Sequence, residues 1–67
     1  MNRSEMIKEM RITAGDAAFI NRRDIAKYLG YKDPHSIDKL LTGLERIGSM
    51  YFIPDVVDSI RQASVAR

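Results

Sequence analysis

The stretch from Asn21 to Leu44 constrains this chain more than any other. Asn21 is a good helix N-cap, and Asp24 three residues later makes a pair of capping-box type. Ile25, Ala26 and Leu29 follow as one apolar stripe at helical spacing. Gly30 comes directly after, where a helix commonly ends on a residue in the left-handed region. Beyond the turn Tyr31-Lys32, Asp33 can cap a second helix with Pro34 at its first position, where proline's missing N–H costs nothing. Ile37, Leu40, Leu41 and Leu44 then supply a continuous inner face. The spacing predicts helix, tight turn, helix over 21–44.

A chain of 67 residues is expected to form one small domain over 1–67. A domain of this size buries only about 60% of its unfolded surface. With no cysteine and one histidine, disulfides are excluded and no metal-ligand set is expected. No apolar run approaches the roughly 18 residues of a membrane span, so the expectation is no membrane and a cytoplasmic protein. Eleven basic and nine acidic residues leave a net charge of +2, compatible with nucleic-acid binding without requiring it. There is no glycine-rich phosphate loop, no nucleophile elbow and no paired metal ligands. The expectation is therefore no enzyme, no catalytic residue, no cofactor and no metal.

In chain order, 1–14 reads as an N-terminal helix capped by Asn2 with Glu5, or by Ser4 alone. Met6, Ile7 and Met10 give it a narrow apolar stripe, read as core, with an exposed surface for a weak homodimer as the alternative. Ala14-Gly15-Asp16 ends the helix, and Phe19-Ile20 suggests a brief strand in need of a partner. Residues 45–53 offer that partner as a hairpin turning at Gly48-Ser49, with arms Leu44–Ile47 and Met50–Ile53. Tyr51 and Ile53 are assigned to one face, Met50 and Phe52 to the other. A competing reading continues the second helix to Ile47. The hairpin is preferred because Gly43 inside a helix costs about 1 kcal/mol. Pro54 opens a last helix over 54–64, with Val56, Val57, Ile60 and Ala63 as its buried stripe and fraying expected over 64–67.

Helix, strand, helix–turn–helix, hairpin, helix is the order of a small winged-helix domain. The fold class expected is mainly α with a small β-hairpin, a winged helix-turn-helix with an added N-terminal helix. The run IAKYLGYKDPHSIDKLL resembles the helix–turn–helix of excisionase-type and MerR-like proteins, in which an apolar helix ends in Leu-Gly before a recognition helix. The run YFIPDVVDSI is similar to the end of their wing, an Ile-Pro step into an acidic, apolar helix. Together these cover residues 20–62. The resemblance implies a DNA-binding architectural factor of a phage or integrative element. Such a factor binds beside a recombination site, directs an integrase towards excision and in some cases also regulates transcription. Duplex DNA and an integrase are the partners so implied. The family's wing carries several arginines, whereas Gly48-Ser49-Met50 has none and only Arg46 lies near.

If 34–43 is the recognition helix, its outward face is His35, Ser36, Asp38, Lys39 and Thr42. Early positions of such a helix reach base edges in the major groove. His35, Ser36 and Lys39 can donate there, and Asp38 can accept from a cytosine amine or orient Lys39. None of these is the bidentate arginine of strong readout, so DNA shape is expected to contribute to recognition. Arg22, Arg23 and Lys27, placed at or near the start of the first helix, suit phosphate contact together with Lys32 in the turn and Arg46 in the wing. Backbone amides at the helix starts are expected to assist. The bland rival is a solvated face, with Tyr28 and Tyr31 as packing or rim residues. A different functional class is also open, a protein-interaction adaptor or anti-repressor docking through the N-terminal helix.

Overall fold

The structure is a computed structural model describing residues 2–65, with side chains described through residue 63. It is mainly helical with a small three-stranded antiparallel sheet. Helix α1 (Arg3–Thr13) begins with a full capping box. Asn2 Oδ1 accepts from the Glu5 amide at 2.8 Å, and the Asn2 amide donates to Glu5 Oε1 at 3.3 Å. Strand β1 (Phe19–Asn21) leads straight into α2 (Arg22–Leu29). Asn21 caps that helix through the Asp24 amide at 2.7 Å, and Gly30 closes it at φ +86°, which only glycine adopts cheaply.

The helix expected over 34–43 is two shorter pieces, a 3₁₀ turn Pro34–Ile37 and helix α3 (Asp38–Leu41). Asp33 does cap the segment, its carboxylate accepting from the His35 amide at 3.0 Å. Ile37 then leaves the helical region at ψ 5°, Thr42 is extended at ψ 126°, and Gly43 is left-handed at φ +86°. Apolar periodicity through Leu44 thus outlasts the helix, and the alternative of a helix reaching Ile47 does not form. Strands β2 (Arg46–Ile47) and β3 (Met50–Phe52) enclose the two-residue turn Gly48-Ser49, with Gly48 at φ +61° in the sign a tight hairpin demands.

Sheet order is β1-β3-β2, so the hairpin gains its third strand from the segment before α2. Ile20 opposes Tyr51 and Phe19 opposes Phe52, while Arg46 opposes Tyr51 and Ile47 opposes Met50. Side chains alternate across a sheet, so Ile20, Tyr51 and Arg46 share one face and Phe19, Phe52, Met50 and Ile47 the other. Ile53 donates its amide to the Ala18 carbonyl at 3.0 Å, extending the ladder to the start of α4 (Ile53–Val65).

The core is Met10, Ile20, Ile25, Ala26, Ile37, Leu41, Tyr51, Ile53, Val56 and Val57. Met6 and Ile7 pack against it beside Met10, so that stripe is core and not the exposed homodimer surface held as its alternative. Ile60 also packs on the core, but Ala63, expected on the buried stripe, is exposed. Helix α4 continues through Val65, and the rest of the expected frayed end, Ala66 and Arg67, lies outside the described residues. Tyr28 is half-buried and donates to Glu9 at 3.0 Å, tying α2 to α1; burial first, then this bond, raises its phenol pKa. Among the described residues no helix is long and apolar enough to cross a membrane.

Candidate nucleic-acid interface

Three elements far apart in sequence converge on one concavity of about 430 Å³. The start of α2 brings Arg22 and Arg23 beside Asn21, the 3₁₀ turn brings Pro34, and the hairpin brings Arg46, Ser49 and Tyr51. Arg46 reaches it because its register opposite Tyr51 places it on that face of β2. Arg22 and Arg23 are the first two residues of α2, at the positive end of the helix dipole. Cations there oppose the dipole by roughly 0.3–1 kcal/mol each at the surface, a cost that a bound anion reverses.

Arg22 is half-buried and already engaged, its Nη1 lying 3.2 Å from Asp38 Oδ1. Asp38 Oδ2 also lies 3.4 Å from His35 Nδ1. The 3₁₀ turn explains this second contact, since about three residues per turn bring positions 35 and 38 into line. Asp38 therefore holds Arg22 and His35, and the expectation that it would orient Lys39 is not met. The other expected site residues, Arg23, Lys27, Lys32, His35, Ser36, Lys39, Thr42 and Arg46, are all exposed. No ion pair forms on Arg23, Lys27, Lys32, Lys39 or Arg46 among the described residues.

Only Arg22, Arg23 and Arg46 of the nine line the concavity. Lys27 sits in the last turn of α2, one turn beyond Arg23, and does not line the concavity. Thr42 donates its hydroxyl to the Asp38 carbonyl at 3.1 Å, a local use of the side chain. Amide assistance at the start of the 34–41 segment is also not met. Pro34 has no N–H, His35 gives its amide to the Asp33 carboxylate, and Ser36 gives its own to the Asp33 carbonyl at 3.0 Å. Two participants were not expected: Ser49, an exposed hydroxyl in the hairpin turn, and Asp38 as a brace between α2 and the 3₁₀ turn. Ser49 was legible as a hydrogen-bonding turn residue, whereas a contact between positions 22 and 38 has no local signature.

Comparison with protein-family models, with curated proteins and with solved structures yields no match.

Proposed function

We propose that this chain is a winged helix–turn–helix protein that binds duplex DNA without catalytic activity, 34–41 lying toward the major groove and the β2–β3 hairpin serving as the wing. The observation that carries the reading is the convergence of Arg22, Arg23 and Arg46 on one concavity between α2, the 3₁₀ turn and the hairpin. Its three cations come from two separate places in the chain, and two of them are set against the helix dipole, which is the electrostatics of a phosphate seat. Ser36 and Lys39 are exposed and can donate to base edges, and the exposed His35 can do so through the ring nitrogen that Asp38 does not hold. The finer reading, an excisionase-like factor that steers an integrase in the cytoplasm, rests on the resemblance of 20–62 to that family.

Fluorescence anisotropy on a short labelled duplex tests the coarser reading. Affinity is expected to fall with salt, with a slope of about −0.9 per phosphate neutralised. Arg23→Gln with Arg46→Gln is expected to flatten that slope by about 2 while leaving the melting temperature near wild type. Absence of salt-dependent binding to any duplex at low ionic strength would sink the proposal.

A further inference from the structure

The sheet face opposite the arginine concavity has a different chemistry. Phe19 and Phe52 lie with ring centroids 5.4 Å apart, and Ile47 is 70% exposed beside them. With Glu45, Arg46 and Asp55 they line a concavity of about 220 Å³. Neither carboxylate has an ion pair among the described residues. The outer side of α1 carries the complement. Ile12, 68% exposed, is in line with Lys8 one turn back, and Arg11 stands next to it. These line, with Ser4, Ile7 and Asp16, a second concavity of about 410 Å³. Among the described residues the Arg11 guanidinium pairs with the exposed Asp16 alone, at 3.7 Å.

Each concavity is thus bordered by one protruding isoleucine; the sheet side carries two carboxylates beside Arg46, and the α1 side two cations beside Asp16. We propose that the occupant of the outer sheet face is α1 of a second copy of this chain. Ile12 of one copy enters between Phe19, Phe52 and Ile47 of the next, and Ile47 seats against Ile7 and Ile12 in return. Lys8 and Arg11 then meet Glu45 and Asp55. Two different patches meet, so the contact is heterologous and adds copies head to tail instead of closing on a dimer. Both patches are small beside the roughly 1,200–2,000 Å² of a stable interface, so the association is weak and concentration-dependent. Arg46 borders both this sheet face and the arginine concavity, whereas Arg22 and Arg23 do not line the sheet face, and the proposal does not depend on the DNA reading.

Sedimentation equilibrium without DNA tests it. Wild-type protein is expected to show a weight-average mass that rises with concentration past that of a dimer, and to lose this in high salt. Ile12→Asp alone and Ile47→Asp alone should each remain monomeric. Their equimolar mixture retains one intact interface, so it should form a 1:1 dimer and nothing larger. Circular dichroism establishes that both variants are folded; if either is not, Ile12→Ser and Ile47→Ser replace them. A wild type that stays monomeric at the highest concentration, or a mixture that stays monomeric, overturns the proposal. So does a closed wild-type dimer that grows no further.

Discussion

Helices α1 and α4 are held by different means from the segment 34–41. The first pair are long, packed against each other, and tied by an ion pair between Arg3 and Asp58 at 2.7 Å. Each lays several apolar side chains on the core: Met6, Ile7 and Met10 from α1, Ile53, Val56, Val57 and Ile60 from α4. The segment 34–41 has one 3₁₀ turn and one turn of α-helix, with two buried anchors, Ile37 and Leu41. Leu40 also packs on the core, and the rest of the support is polar: the Asp33 cap, the Arg22–Asp38 pair, and a hydrogen bond from the Ser59 hydroxyl to the Leu40 carbonyl. The part that presents His35, Ser36 and Lys39 is therefore the part with the least helical backbone of its own. Its shape is imposed by neighbours, and damage to those few supports should register there first.

Ile37→Ala puts the largest load on this contrast. Truncating a fully buried isoleucine typically costs about 2–5 kcal/mol, a large share of the stability of so small a domain. Urea denaturation should show that loss, and hydrogen exchange should accelerate at 34–41 before it does in α1. Equal acceleration across both regions would mean that they unfold as one unit, and the contrast would be one of geometry alone.

The same contrast explains what was legible in the sequence. Asn2 with Glu5, Asn21, Gly30 and Gly48-Ser49 act within three or four residues, so caps and turn follow from local chemistry. The alternation placing Tyr51 and Ile53 inward is likewise a property of neighbours along one strand. Residues 34–43 read as a longer helix because Ile37, Leu40, Leu41 and Leu44 keep the period. That pattern records only which side faces the core. It cannot register that Ile37 interrupts the helix or that Thr42 turns extended. Of the candidate site, the arginines were legible as types, but their convergence depends on the strand register that puts Arg46 opposite Tyr51.

Ser59→Ala separates the polar supports from the apolar ones. It removes the hydroxyl that satisfies the Leu40 carbonyl from α4. The expected loss is about 1 kcal/mol, measured by chemical denaturation, with faster exchange near α3 and little change near the capping box of α1.

Asp38→Asn is smaller for stability and more informative for function. The Arg22–Asp38 pair is roughly half exposed on both sides, so its removal should cost less than about 1 kcal/mol. The substitution also releases Arg22 and His35 and takes a negative charge from the proposed phosphate face. Affinity for a random duplex should rise, and the salt slope should steepen by about 0.9, one further phosphate contact. A fall in affinity instead would show that the hold of Asp38 on Arg22 outweighs its repulsion of phosphate.

The smallest effect belongs to the sturdier region and concerns acid. The hydrogen bond from the Arg3 guanidinium holds the Asp58 carboxyl below its ordinary value; desolvation opposes it, and the charge of Arg3 adds a smaller lowering. A carboxyl with a lowered folded pKa stabilises the fold above its unfolded pKa of about 3.9. That contribution fades as the pH falls through the lower folded value. Melting temperature followed from neutral to acidic pH should therefore fall slightly less steeply for Asp58→Asn than for wild type. Both partners are about half exposed, so added salt should shrink even that difference. If Asp58→Asn instead lowered stability as much as Ser59→Ala at neutral pH, α1 and α4 would depend on polar contacts as heavily as 34–41 does, and the contrast between the two regions would fail.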